Sequence, residues 1–343
     1  MKTINLALVG FGNVGQAFLR LLMRKENRLK EEFDFECKVT GIATGTHGSV
    51  IDPQGIDFTR ALEIAAQHGN LSDLAGLPAR SSTMDFIRTC PADVLLENSP
   101  VNHQTGQPAA DHLRTALECG MHAITANKGP VVHAFNDLTA LAVERGKRFL
   151  FESAVMDGAP IFSLFRGSLP AIELQGFSGI LNSCTNFLLG RMEAGVSFDQ
   201  AIEEGRAIGI TETDPSADID GWDAAIKVAA LCTVLMGVPL KPQQVDRIGI
   251  HGITPTMISE ALAQNERWKL VCRARREQGG VSASVAPARV KSSSPLYAIN
   301  GTSSFVQFES DVLPALGILE TNPGPETTAY GLLCDLINAI RGA

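Results

Sequence analysis

A chain of 343 residues, 45% of them hydrophobic, is long enough to bury substantial cores and reads as two domains more readily than one. A formal net charge of -8, without any run of Lys and Arg interleaved with aromatics, excludes a nucleic-acid or anionic-membrane surface; small molecules, or copies of the chain itself, are the partners that remain. Seven scattered cysteines with no C-x-x-C pair exclude a disulfide framework and a zinc cluster, and read as the reduced thiols of a cytoplasmic protein.

Residues 4–9 form an apolar run of strand length. Gly10-Phe11-Gly12-Asn13-Val14-Gly15 follows, and then helical spacing over 16–23. This is G-x-G-x-x-G in its strand-turn-helix context, so these six residues are candidate cofactor contacts. Gly10 permits a tight turn, Gly12 lets backbone approach a pyrophosphate, and Gly15 lets helix and strand pack closely. The second strand, 38–43, ends at Thr44-Gly45-Thr46-His47. A carboxylate at this point would select NAD through the ribose hydroxyls; here there is none, and no Arg either. Thr44 and Thr46 are therefore read as cofactor contacts, with NADP preferred and NAD also allowed.

Helical spacing over 58–68 and 80–88 leads to a strand at 93–98 and the loop Ser99-Pro100-Val101-Asn102-His103. Ser99 and Pro100 thus stand at the carboxyl end of a strand, where open α/β sheets bind ligands, and Pro100 is a candidate for a cis peptide bond. A helix over 107–119 precedes Thr125-Ala126-Asn127-Lys128, with Lys128 in a loop closed by Gly129-Pro130. A helix over 135–145 and a short strand at 148–152 complete the βαβ pattern near residue 150. Beyond it, strands are expected at 172–181, 268–274, 281–286 and 303–308, the middle two forming a hairpin about Gln278-Gly279-Gly280. A helix over 327–340 ends the pattern. The stretch Thr211–Lys227 gathers Glu212, Asp214, Asp218, Asp220 and Asp223 just before an apolar helix. Capping and the helix dipole would account for such acids, and Asp223 with Lys227 could be an exposed i,i+4 pair of about 0.3–0.5 kcal/mol.

Taken in order, Glu97-Asn98-Ser99-Pro100-Val101-Asn102-His103, Thr125-Ala126-Asn127-Lys128-Gly129-Pro130, Glu152-Ser153-Ala154-Val155, Gly179-Ile180-Leu181-Asn182 with Thr185-Asn186, and Glu212-Thr213-Asp214-Pro215 through Lys227 resemble homoserine dehydrogenase over residues 4–230. The resemblance implies an α/β fold in three parts. A Rossmann domain with a doubly wound parallel sheet spans 1–150, an α+β substrate-binding and dimerisation domain spans 151–310, and a segment over 311–343 returns to the nucleotide domain. The implied activity is the NAD(P)-dependent interconversion of L-homoserine and L-aspartate 4-semialdehyde, in threonine and methionine biosynthesis, by a cytoplasmic homodimer. No C-terminal regulatory module is expected.

The resemblance also implies roles for particular residues. Glu212 and Asp223 hold the substrate ammonium group; Asn182, Ser183 and Cys184 lie where the substrate carboxylate is expected; Asn127 and Lys128 belong to the cofactor side. Lys128 and Lys227 share proton transfer and polarisation of the reacting oxygen, and either could take the proton. Two lysines in one site disfavour each other's charge, as a general base near neutrality requires. The backbone carbonyls of Glu152, Val155 and Asp157 match a sodium site of some relatives. Two departures bear on the substrate: Asn182-Ser183-Cys184-Thr185-Asn186 replaces Asn-Gly-Thr-Thr-Asn, and a glycine-rich segment becomes Asn322-Pro323-Gly324-Pro325-Glu326-Thr327-Thr328. Competing readings are a related dehydrogenase of another small hydroxy or oxo amino acid, and a non-catalytic NAD(P)-binding sensor.

Overall fold

In the computed structural model, which describes residues 1–74, 76, 82–211 and 214–342, the opening apolar run is strand β1 (Lys2–Val9) and the glycine turn feeds helix α1 (Asn13–Phe33). Strand β2 (Phe35–Ala43) follows at once, and β3 (Ser49–Ile51) turns back beside it. Helices α2 (Phe58–Ala66) and α3 (Thr83–Thr89) precede β4 (Val94–Glu97), and α4 (Ala109–Glu118) precedes β5 (His122–Thr125). Helices α5 (Lys128–His133) and α6 (Phe135–Glu144) lead to β6 (Phe149–Leu150). The sheet runs β3-β2-β1-β4-β5-β6, parallel except for β3. Its order reverses between β1 and β4, so the ends of those two strands flank the crevice where such sheets bind ligands. Alternate residues of β1 serve different cores, as a two-sided sheet requires: Ile4, Leu6 and Leu8 meet Phe18 and Leu19 of α1, while Ala7 and Val9 lie with Phe86 and Ile87 of α3 and Ala116 of α4.

The chain divides into two compact units, one of Met1–Pro160 with the segment from Gly324 onward, the other of Ile161–Pro323. The second unit carries helices α7 (Phe162–Gly167), α8 (Ser183–Glu193), α9 (Phe198–Ala207), α10 (Ser216–Ile219), α11 (Trp222–Leu235) and α12 (Pro255–Ala263). Its strands are β7 (Leu174–Ile180), β8 (Asp246–Arg247), β9 (Glu266–Glu277), β10 (Gly280–Lys291), β11 (Ser304–Ser310) and β12 (Leu316–Glu320). They form a sheet β12-β11-β7-β9-β10-β8, antiparallel except where β10 meets β8. Helices α8, α11 and α12 pack against β9. The hairpin turns at Gln278 and Gly279, the latter at φ +93°, and its strands run longer than the apolar pattern indicates. Arg275, Arg276 and Glu277 prolong β9, and Arg289 and Lys291 prolong β10. Such polar residues lengthen a strand without adding to its apolar run.

Helix α13 (Pro325–Arg341) completes the first unit, burying Leu332, Leu333 and Leu336 in the core that α1 also lines. Two boundaries differ from the expected 150 and 311. The first unit continues through the turn at 151–160, because Glu152 N–H donates to Asp335 of α13 (2.7 Å) and Ser153 Oγ to the Thr328 carbonyl (2.8 Å). The second unit retains 311–323, because β12 pairs with β11. A cis peptide bond precedes Pro108; that before Pro100 is trans. No helix among the described residues is long and apolar enough to cross a membrane.

Candidate active site

The turn after β1 is built for close approach. Gly10 sits at φ +91°, and a Cβ there would lie 2.4 Å from the Asn98 carbonyl oxygen; at Gly15 it would lie 2.7 Å from the Gly10 carbonyl oxygen. At Gly12, the N-cap of α1, nothing lies within 4 Å. No side chain caps α1 and its first turn carries no acid. Its N–H donors beside an open glycine therefore fit the pyrophosphate of a dinucleotide. Asn13 is exposed and Val14 half-buried, whereas the Phe11 ring is buried in the core, so only its backbone is available to a ligand. After β2, Thr44 Oγ1 accepts from His47 N–H (2.7 Å) and donates to the Gly48 carbonyl (3.1 Å), closing a tight turn. Gly45 and Thr46 are exposed on it, and nothing lies within 4 Å of a Cβ at Gly45.

At the end of β4, Ser99 bonds through both N–H and Oγ to Glu97 Oε1, and Pro100 is exposed. The next strand end corrects one expectation: Lys128 does not sit in a loop closed by Gly129-Pro130 but opens α5, whose first turn holds that Gly-Pro pair. Proline is tolerated there because first-turn N–H groups have no intrahelical acceptor. Asn127 is the N-cap: its Oδ1 accepts from Gly129 N–H (2.9 Å), and its Nδ2 reaches the Ser99 (3.1 Å) and Pro100 (3.4 Å) carbonyls. Its amide is buried and committed to the backbone, so Asn127 shapes the loop rather than offering a side chain to a ligand. Asn98 was not singled out by sequence. Both polar atoms of its side-chain amide are buried without a partner, and its backbone carbonyl lies against Gly10. Its one legible signal is its place just after a buried strand.

In the second unit, Gly221 at φ +79° admits the chain to α11, which displays Asp223 and Lys227 one turn apart. Their carboxylate and ammonium lie 3.1 Å apart, with side chains only 14% and 15% exposed, so this is not the solvated surface pair that i,i+4 spacing alone allows. Lys227 Nζ also donates to the Leu181 carbonyl (2.7 Å) at the end of β7. The adjoining Asn182 caps α8: its Oδ1 accepts from Thr185 N–H (2.8 Å). That bond leaves its Nδ2 to donate to Asp218 (2.6 Å) and Asp223 (3.0 Å). Asp218, one of the acids that helix capping alone could explain, is thereby held in the same cluster. Two carboxylates against one ammonium leave a local negative excess.

The flanking acids stay structural. Asp214 caps Ser216 N–H (3.0 Å), a bond that holds its carboxyl below the usual range, and Asp220 pairs with His251 (3.0 Å). Ser183 Oγ lies 3.4 Å from Ser304 Oγ in the first turn of α8. The Cys184 thiol is buried against Thr211 Oγ1 (3.6 Å), and burial, with the Asp218 charge adding to it, pushes its pKa up to about 12. It packs the helix and presents no thiolate. Glu212 lies outside the described residues.

Glu152 and Val155 are buried, and Asp157 is half-buried at φ +39°. The turn abuts α13, where a Cβ at Gly331 would lie 2.1 Å from Ser153 Oγ and 2.8 Å from the Asp157 carbonyl oxygen. Carbonyl oxygens of a rigid turn are suitable donors for a hard monovalent cation. Among the described residues no cluster of His, Cys, Asp or Glu is arranged to hold a metal.

Two sequence profiles cover most of the chain: one described as homoserine dehydrogenase, NAD binding domain, matches residues 10–152, and one described as homoserine dehydrogenase matches 160–337. An NAD(+)-dependent homoserine dehydrogenase of Pseudomonas canavaninivorans is 35% identical, covering 100% of this chain and 98% of that one. A homoserine dehydrogenase of Methanocaldococcus jannaschii is 33% identical over 98% of both. Among solved structures, a hyperthermophilic archaeal homoserine dehydrogenase in complex with NADPH superposes with a TM-score of 0.84 at 28% identity, covering 100% of this chain and 99% of that one.

Proposed function

Because this chain belongs to the homoserine dehydrogenase family, we propose that its two residue clusters carry out the NAD(P)-dependent interconversion of L-homoserine and L-aspartate 4-semialdehyde that the family performs. The bound dinucleotide supplies the hydride acceptor or donor. The protein must hold an amino acid and move one proton. The observation that carries this reading is the Lys227–Asp223–Asn182–Asp218 constellation, which sets an ammonium donor beside a carboxylate pair in partly dry surroundings.

Asp223, with Glu212, takes the substrate ammonium, and Asp218 is kept in register with it by Asn182. The substrate carboxylate meets the first turn of α8 at Ser183, where the helix N-terminus favours an anion. Lys128 and Lys227 serve the proton on the reacting oxygen. The glycine turn from Gly10 to Gly15 takes the pyrophosphate, and the turn from Thr44 to Thr46 faces the ribose. That turn bears neither carboxylate nor guanidinium, so either dinucleotide is accepted, with the missing carboxylate favouring NADP. The carbonyls of Glu152, Val155 and Asp157 bind sodium as a structural ion, and no step of the reaction passes through it. The enzyme works as a homodimer in the cytoplasm, a reading supported by exposed Val312 and Leu319 beside the edge strand β12 and by seven unpaired thiols.

The test is steady-state oxidation of L-homoserine followed by nicotinamide absorbance, with NAD and NADP in parallel and Lys227→Ala as control. Removing a proton-transfer group should lower kcat by about 10²–10⁴-fold. Unchanged turnover in the variant, or a different hydroxy amino acid as the better substrate, would refute the assignment.

A further inference from the structure

The first unit contains a buried acid that none of the roles above uses. Glu97, the last residue of β4, has no exposed surface, and each of its carboxylate oxygens is engaged. Oε1 accepts from Ser99 N–H (3.1 Å) and from Ser99 Oγ, and lies 3.4 Å from Nδ1 of buried His112 on α4. Oε2 accepts from Thr125 Oγ1 (3.1 Å) at the end of the neighbouring strand β5. Thr125 Oγ1 in turn accepts from Asn127 N–H (2.9 Å), and Asn127 caps the helix that Lys128 opens. Its Nδ2 also ties back to the Ser99 carbonyl (3.1 Å), closing a ring of bonds around the ends of β4 and β5.

The chemistry of the ring depends on the carboxylate. A carboxylate can only accept; the single Thr125 proton goes to Oε2 (3.1 Å) or to the Glu97 backbone carbonyl (2.9 Å), and a lone pair of that hydroxyl takes Asn127 N–H (2.9 Å). On the other oxygen the same rule fixes the direction of both Ser99 donors. A leucine in this place removes both acceptors and sets the Ser99 N–H and hydroxyl against hydrocarbon, a mismatch of donors with no partner. Because the group is fully buried, water cannot relieve that mismatch.

We infer that Glu97 is a positioning residue: through Thr125 and Asn127 it sets the place of Lys128, and through Ser99 it shapes the cofactor loop. This inference rests on the role proposed for Lys128. It acts on the reaction without touching substrate or cofactor. Its signature is therefore coupling, because a residue that works through Lys128 loses its influence once the lysine side chain is gone.

The experiment compares wild type, Glu97→Leu, Lys128→Ala and the double variant by kcat/KM for homoserine, NADH affinity by fluorescence, and urea unfolding. Glu97→Leu should lower kcat/KM by about tenfold or more alone but less than about threefold in the Lys128→Ala background, within the range of coupled neighbours. NADH binding should weaken by about fivefold as the Ser99 loop loosens. Equal losses in both backgrounds, or full activity of folded Glu97→Leu, would overturn the inference. Should Glu97→Leu not fold, Thr125→Val cuts the same link from its other end and is read in the same way. If the wild type does not oxidise homoserine, the reaction assignment fails and NADH affinity decides: weakened binding in the folded variant upholds the positioning role, and unchanged binding ends it.

Discussion

Residue by residue, two positions show how burial changes what a side chain means. Gly45 stands on the exposed turn after β2 with open space where a Cβ would be. A carboxylate introduced there can reach ribose hydroxyls and repel a 2′-phosphate. Gly45→Asp should therefore lower kcat/KM with NADP by about tenfold or more, roughly 1.4 kcal/mol, while NAD is little affected; parallel assays with both cofactors check it. Lys269 of β9 is fully buried, its Nζ donating to Asn186 Oδ1 (2.9 Å) and the Ile299 carbonyl (2.6 Å). Burial, with the Arg267 charge adding to it, brings its pKa down from 10.5 to about 8. Between those values the unfolded chain binds a proton that the folded chain lacks, so Lys269 makes stability rise with pH across that window. The buried thiols oppose it: Cys184, Cys232 and Cys272 are pushed up to about 12, so above pH 9 the unfolded thiols ionise first and stability falls. Urea unfolding of wild type against Lys269→Met isolates the lysine. Wild type should gain about 2 kcal/mol relative to the variant from pH 8 to 9.5.

At the scale of elements, α13 depends on one small residue. Gly331 lets the helix lie against the turn at 153–157, where Asp157 carbonyl and Ser153 Oγ leave no room for a methyl group. Gly331→Ala should destabilise the first unit by about 1–3 kcal/mol, the usual cost of overpacking, despite alanine's higher helix propensity; a thermal melt measures it. The same melt with sodium chloride exchanged for choline chloride tests the sodium proposal, which requires a higher midpoint in sodium. Element positions were largely legible, because strands buried on both faces read as apolar runs and helices carry a 3.6-residue period. The short edge strands β3, β8 and β12 were missed. Two to five residues give too little period to detect, and β12 is sorted into its sheet only by its pairing with β11.

Across the whole molecule, the self-association proposal rests on apolar surface at the rim of the second sheet. Leu319 is 55% exposed on the edge strand β12. A charge there should weaken any pairing of copies through that edge. Leu319→Arg is expected to convert a dimer into a monomer in light scattering after gel filtration, and an unshifted dimer mass would move the interface elsewhere.

The amino-acid sequence by itself determined the Rossmann opening, the strand ends that Ser99 and Lys128 follow, and the family, because glycine spacing and apolar runs are local signals that survive without neighbours. It also placed Asp223 and Lys227 one helical turn apart. Only the tertiary structure decided that this pair is half-dry and joined to Asp218 by Asn182. It likewise decided that Cys184 is sealed against Thr211 and that Glu97 links two strand ends. Those facts depend on which side chains distant segments bring within about 3 Å, and the residue types alone do not encode that distance.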